Sequence, residues 1–314
     1  GAVYAGKVTV ADIGMPVDLI EEIGPEGILL NEDFIKDLFI PYPPNVHKGF
    51  FGKVFIIAGS KGLTGAAALC ALAAQRSGAG LVTLGVPESL TAVFEVKLTE
   101  VMKMPLPDQG GCISLEALDR ALEFSQKVDV VAVGPGLSTN ENTKKFIREF
   151  VINCKKPLVL DADGINAFQK HPDLLRGKEG DIIITPHSGE LARLLNTVPL
   201  EIEENRWQKV VEAADEFNCT VVLKGARTLI KSPSSPVYIN PTGNPGMATG
   251  GSGDVLTGMI AAFLARNREP LKAACAGVYI HGLAGDIARE KKGEFSLIAG
   301  DILDNLPEAF KRIF

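Results

Sequence analysis

The sequence has no cysteine pair at C-x-x-C spacing; its five cysteines stand far apart, at positions 70, 112, 154, 219 and 275. That spacing excludes a zinc ribbon and offers no disulfide framework. It reads as reduced, mostly buried thiols in a cytosolic protein. Only four histidines are present, and none is spaced for a metal site. Long hydrophobic runs are missing as well. Stretches such as residues 66–74 fall far short of the ~18 apolar residues needed to span a bilayer. Residues 1–10 lack the charged start and apolar core of a secretory signal. There is no excess of positive charge: the net charge is −6, which argues against nucleic acid as the main partner. A basic pocket inside an acidic protein stays open. No Walker A sequence, internal repeat or low-complexity tract occurs.

What is present is an ordinary globular composition, 46% hydrophobic and 22% charged over 314 residues. A chain of that length buries roughly 75% of its unfolded surface as one large α/β domain or two small ones. From Lys53 onward, apolar strand patterns alternate with helical ones. Strands are expected at 54–58, 81–86, 128–133, 157–161, 181–185 and 219–224, with a hairpin from 228–230 and 237–240. Helices are expected at 66–77, 115–126, 139–154, 188–196, 201–217, 254–266 and 271–290. Such alternation implies a mostly parallel sheet covered by helices on both faces. Ahead of it, residues 7–16 read as one strand and a turn. Residues 28–39 read as a short helix capped by Asn31 or Asp33, and Pro41-Tyr-Pro-Pro44 as a linker.

The stretch Asn244-Pro-Gly-Met-Ala-Thr-Gly-Gly-Ser-Gly-Asp254 is the most informative. It places a glycine loop at the start of an apolar helix. Glycines let the backbone approach a ligand, and a helix N-terminus offers free N–H groups to a phosphate. Asp254 there is either a simple N-cap or a carboxylate that takes a proton from a hydroxyl attacking phosphorus. Other polar groups follow strands directly: Gly59-Ser60, Gly134-Pro-Gly136, Asp161-Ala-Asp163, Thr185-Pro-His187 and Lys224-Gly225. A parallel sheet brings such positions to one edge, where α/β ligands bind. Lys224-Gly-Ala-Arg-Thr228 suits nucleotide phosphates or a solvated turn. In Thr185-Pro-His-Ser-Gly-Glu190, His187 could bond a substrate and Glu190 could hold Mg²⁺ through water. The bland alternative is a helix start with Ser188 as cap. His281 reads as a core histidine.

Taken in order, these motifs, with Arg76-Ser-Gly-Ala-Gly-Leu-Val-Thr83 and Gly65-Ala-Ala67, resemble the ADP/ATP-dependent (S)-NAD(P)H-hydrate dehydratase family over about residues 30–314. The resemblance implies a ribokinase-like α/β fold. It implies dehydration of NADHX and NADPHX, in which ADP or ATP phosphorylates the ring hydroxyl and phosphate then leaves. Asp254 would be the base, and the N–H groups of Gly251, Ser252 and Gly253 would stabilise the transferring phosphoryl. Lys224, Gly225, Ala226, Arg227 and Thr228, with Gly253, would bind ADP. Ala66, Gly136, His187 and Asp254 would line the hydrate, and Glu190 would sit near Mg²⁺. ADP is the favoured donor. Residues 1–25 resemble the end of an NAD(P)H-hydrate epimerase domain, so the chain is expected to be the later part of a bifunctional repair enzyme, with residues 26–314 its dehydratase domain. The family further implies a cytoplasmic homotetramer. A vitamin-type hydroxymethyl kinase and a nucleotide-binding module without catalysis are the competing readings.

Overall fold

A computed structural model of the chain describes residues 9, 11, 13–24, 26–39, 48–176, 178 and 180–314. Its frame is a mixed sheet built from β1 (Gly27–Leu29), β2 (Lys53–Ile57), β3 (Leu81–Pro87), β4 (Met102–Leu106), β7 (Val130–Val133), β8 (Leu158–Leu160), β9 (Ile182–Ile184), β10 (Thr220–Leu223), β11 (Leu229–Lys231) and β12 (Val237–Ile239). The short β5 (Asp108–Gln109) and β6 (Cys112–Ile113) pair apart from it. The strand order is β1-β12-β11-β10-β9-β8-β7-β2-β3-β4. Neighbours run parallel except for the β10–β11 and β11–β12 pairs.

Strand β2 shows why the interior strands read as unbroken apolar runs. Successive side chains point to opposite faces, and both faces are covered. Val54 and Ile56 enter the core under the helices Thr64–Arg76 and Ser252–Asn267, while Phe55 and Ile57 enter the core of the other face, with Phe146 and Phe150. No alternation survives when neither face meets water.

Several expectations change. Residues 201–217 form two helices, Pro199–Glu204 and Arg206–Phe217, broken at Asn205, whose backbone (φ −126°, ψ 37°) is not helical. Ile28 and Leu29 belong to β1, and the helix expected at 28–39 shrinks to Glu32–Asp37, with Asn31 as its N-cap. The expected strand at 7–16 falls partly outside the described residues, as does the whole of Pro41–Pro44; the described residues 9, 11 and 13–16 lie in no strand. A helix at Val17–Ile23 follows. Two larger elements have no counterpart in the sequence reading. One is β4, a Pro-containing strand that an edge position tolerates; the other is the helix Ala299–Ile313. Among the described residues, no helix is long and apolar enough to cross a membrane, and all five cysteines are free, four of them buried.

Candidate active site

The glycine loop does meet a helix N-terminus. The helix Ser252–Asn267 starts after Gly251, which holds φ +95°. A side chain there would be strained and would also run into Leu69 and Ala299. Among the described residues, the amides of Gly253 and Asp254 donate to no protein acceptor. They are the orphan donors that a helix start leaves for an anion. Behind the loop, the buried His281 turns Nε2 to the Ser252 carbonyl at 3.0 Å and to its hydroxyl at 3.4 Å. Burial lowers the His281 pKa to about 4, so the ring is neutral. The sequence reading of His281 as a core histidine is right, yet this core residue also backs the loop.

Lys224 is the hub of the site. Its ammonium lies 2.7 Å from Asp161 Oδ1 and 3.7 Å from Glu190 Oε2, and a Cβ built on Gly253 would lie 3.4 Å away. Asp161 also accepts the Thr185 hydroxyl at 2.7 Å. Burial alone would lower the Lys224 pKa. The negative charges of Asp161, Glu190 and Asp254 outweigh it and hold the ammonium above its ordinary range. At Asp254 the balance runs the other way: burial first, then the charge of Asp161, raises its pKa to about 7 against the opposing pull of Lys224. A base poised near neutrality is what proton transfer at physiological pH requires.

His187 rather than Ser188 caps the helix Ser188–Leu194. Its Nδ1 accepts the amides of Gly189 (3.0 Å) and Glu190 (3.3 Å), and Glu190 Oε2 accepts the His187 amide at 2.8 Å. With Nδ1 accepting, the proton of a neutral ring is assigned to Nε2. The His187 side chain is half-exposed, while the Glu190 carboxylate is buried 3.7 Å from Lys224. Ser188 instead donates its hydroxyl to Glu203.

The turn after β10 carries the expected nucleotide residues, but not all point the same way. Lys224 faces the carboxylates. Gly225 and Ala226 are exposed backbone, and the Thr228 hydroxyl bonds the Gly225 carbonyl at 3.0 Å. Arg227 turns outward to the Pro241 carbonyl. Arg206, unmarked in the sequence, supports this turn from beneath. It donates to the Leu223 carbonyl at 3.0 Å and the Lys224 carbonyl at 3.3 Å, and pairs with Glu203 at 3.4 Å. Ser188, Glu203 and Arg206 thus tie the His187 turn to the Lys224 turn. Only the fold reveals that tie, since the break at Asn205 aims the two helices.

The remaining wall is formed where Gly136 meets Leu63 and Ala66, with the Ser60 hydroxyl donating to the Gly136 carbonyl at 2.8 Å. Strand ends β2, β7, β8, β9 and β10 therefore deliver Ser60, Gly136, Asp161, His187 and Lys224 to one edge, and Asp254 faces that edge across Lys224. Among the described residues, no cluster of three His, Cys, Asp or Glu forms a ready metal cage. Mg²⁺ rarely needs one, because it keeps several waters. Asp161, Glu190 and Asp254 set three carboxylates against the single ammonium of Lys224. That residual negative charge fits a hard divalent cation.

Fold and site together define a ribokinase-like α/β protein with its polar cluster at the carboxyl ends of the strands. The chain belongs to the NAD(P)H-hydrate dehydratase family, whose sequence profile matches residues 54–308. A Moorella thermoacetica protein named "Bifunctional NAD(P)H-hydrate repair enzyme Nnr" is 43% identical over all of this chain and 59% of its own length. An Escherichia coli protein of the same name is 37% identical over 85% of the chain and 49% of its own length. The chain thus spans well under two thirds of these curated relatives. Among solved structures, the Bacillus subtilis ADP/ATP-dependent NAD(P)H-hydrate dehydratase, co-crystallised with ATP/Mg²⁺, superposes with TM-score 0.78 at 29% identity, covering 90% of this chain and 98% of that one. A ribokinase-like superfamily protein from Enterococcus faecalis gives 0.80 at 26% identity, covering 92% and 96%.

Proposed function

We propose that this chain dehydrates (6S)-NADHX and NADPHX to NADH and NADPH at the expense of a nucleoside diphosphate or triphosphate. The observation that carries the reading is Asp254, a partly buried carboxylate with a pKa raised to about 7, in the first turn of a helix with free amides. Asp254 takes the proton of the hydroxyl at C6 of the hydrated ring. The oxygen attacks the terminal phosphorus, and the bond to the bridging oxygen breaks toward the nucleotide. The amides of Gly251, Ser252 and Gly253 stabilise charge on the transferring group; that of Gly253 has no acceptor among the described residues, whereas that of Ser252 must give up a long contact of 3.4 Å to the Thr249 carbonyl. The C6–O bond then breaks with its electron pair going to phosphate. The ring-nitrogen lone pair drives this departure, and loss of a proton from C5 restores the dihydropyridine.

Lys224, Gly225, Ala226 and Thr228 bind the nucleotide phosphates, with Arg227 at the rim. Ala66, Gly136 and His187 hold the hydrate opposite them. Glu190 would hold Mg²⁺ through water, and the ion would supply neutralisation of phosphate charge. We take ADP as the donor, with ATP as the alternative. Residues 26–314 are the dehydratase domain and residues 1–25 the end of an epimerase domain. The bifunctional names of the relatives support that division. Incubation with NADHX, Mg²⁺ and ADP should release inorganic phosphate together with NADH. A stable phosphoester in their place would assign the site to a hydroxymethyl kinase.

A further inference from the structure

The wall beside His187 carries a cation to which the proposed reaction gives no task. Arg193 stands in the last turn of the helix Ser188–Leu194, one turn beyond Gly189 and on the same face. A Cβ built on Gly189 would lie 2.9 Å from His187 Cε1 and 3.7 Å from Arg193 Nη1. The imidazole proposed to hold the hydrate and the half-buried guanidinium therefore share the space above this glycine.

The guanidinium is held in place without being neutralised. Its Nε and Nη2 both donate to Asn166 Oδ1, at 3.1 and 2.7 Å. An amide oxygen fixes the plane of the group and leaves its charge uncompensated. Among the described residues no carboxylate pairs with Arg193, and Nη1 donates to no protein acceptor. The carboxylate of Asp163 is turned to other donors: Oδ1 accepts Asn166 Nδ2 at 3.5 Å, and Oδ2 accepts the Ser138 amide at 2.8 Å. These contacts join the ends of three strands. Ser138 follows β7, Asp163 and Asn166 follow β8, and Arg193 belongs to the helix after β9. The same loops deliver Gly136 and His187 to the edge where α/β proteins bind ligands. A purely structural tie between these segments would be stronger with a carboxylate in place of Asn166. The neutral acceptor keeps the positive charge available for an anion.

We infer that Arg193 takes the pyrophosphate of the hydrated dinucleotide and that Asn166 is the residue that positions it, an inference that rests on the proposed function. The pyrophosphate is anionic and stands one ribose away from the nicotinamide ring, so a cation beside His187 meets it. The extra phosphate of NADPHX sits on the far ribose, beyond the pyrophosphate. Nη1 and the second hydrogen of Nη2 form the open fork, and such a fork can pair two phosphate oxygens at once.

The test compares the parent with Arg193→Met, Arg193→Lys and Asn166→Asp. Titration calorimetry with NADHX in the absence of donor gives Kd, and turnover with Mg²⁺ and ADP gives kcat and the KM values for NADHX, NADPHX and ADP. Arg193→Met should weaken NADHX binding about tenfold or more, the scale of a charge-assisted hydrogen bond, and raise KM for both hydrates alike. KM for ADP should not move, and kcat should hold within about threefold, because the pyrophosphate takes no part in the chemical step. Arg193→Lys should recover part of the loss. Asn166→Asp should weaken hydrate binding as well, since it hands the guanidinium a carboxylate. An unchanged Kd in Arg193→Met, a rise in KM confined to NADPHX, or an equal rise in KM for ADP would overturn the inference and leave repair by the parent standing. Failure of the parent to bind or repair either hydrate would remove the proposed function and this inference with it.

Discussion

In the proposed reaction Asp254 is the base, and its environment sets the pH at which it can act. As a base it must be unprotonated, and its pKa lies at about 7 because of burial and the nearby charge of Asp161. kcat/KM should therefore rise about tenfold per pH unit below neutrality and level off above it, a limb that Asp254→Asn abolishes along with most of the activity. The same shift has a stability consequence of opposite sign. The folded state holds the proton more tightly than the unfolded chain, so Asp254 destabilises the fold increasingly as pH rises from about 4 to 7, and by a constant amount above that. Asp254→Asn should accordingly raise the urea midpoint at pH 8, by a free energy of ~2 kcal/mol once solvent and Lys224 are allowed for. The gain should vanish near pH 4; an equal gain at both pH values would remove burial of the charge as its cause. The sequence makes Asp254 legible through its glycines. It leaves Arg206, Glu203 and the Asp161–Lys224 contact hidden, because each depends on a partner far along the chain.

Among the elements, two helices are pressed together to form the site. Thr64–Arg76 carries Ala66, which meets Gly136, and Ser252–Asn267 carries Asp254. They approach so closely that a Cβ on Gly258 would lie 2.0 Å from the Cys70 carbonyl oxygen. Gly258→Ala should therefore cost ~1–3 kcal/mol through forced separation, although alanine is the better helix former. The urea midpoint should fall and turnover with it, since Ala66 and Asp254 are carried on the two helices. A midpoint equal to that of the parent would show the contact to be loose. The alanine-rich pattern of residues 66–74 signals a buried helix, but nothing in it names Gly258 as the opposing residue. Element ends were less legible than their interiors. The apolar stripe across 201–217 is continuous in sequence, and only tertiary packing breaks it at Asn205.

At the scale of the whole molecule, the alternating strands and helices fix a parallel sheet, and the sheet brings the motifs to one edge. That part was legible because βαβ units bury both faces of every inner strand, leaving continuous apolar runs. The edges were not. β1 is short and pairs with β12, a distant part of the chain, while β4, though next to β3 in sequence, carries a proline that breaks its strand pattern. The direct test of the central claim is to supply NADHX with Mg²⁺ and ADP, and separately with ATP, to the parent and to Asp254→Asn. Recovery of the dihydropyridine absorbance is followed alongside released phosphate. The proposed reaction yields equal amounts of NADH and phosphate from the parent, faster with ADP, and a loss of more than about 100-fold in the folded variant. Repair by Asp254→Asn at near the parent rate, or none by the parent with either nucleotide, would contradict it.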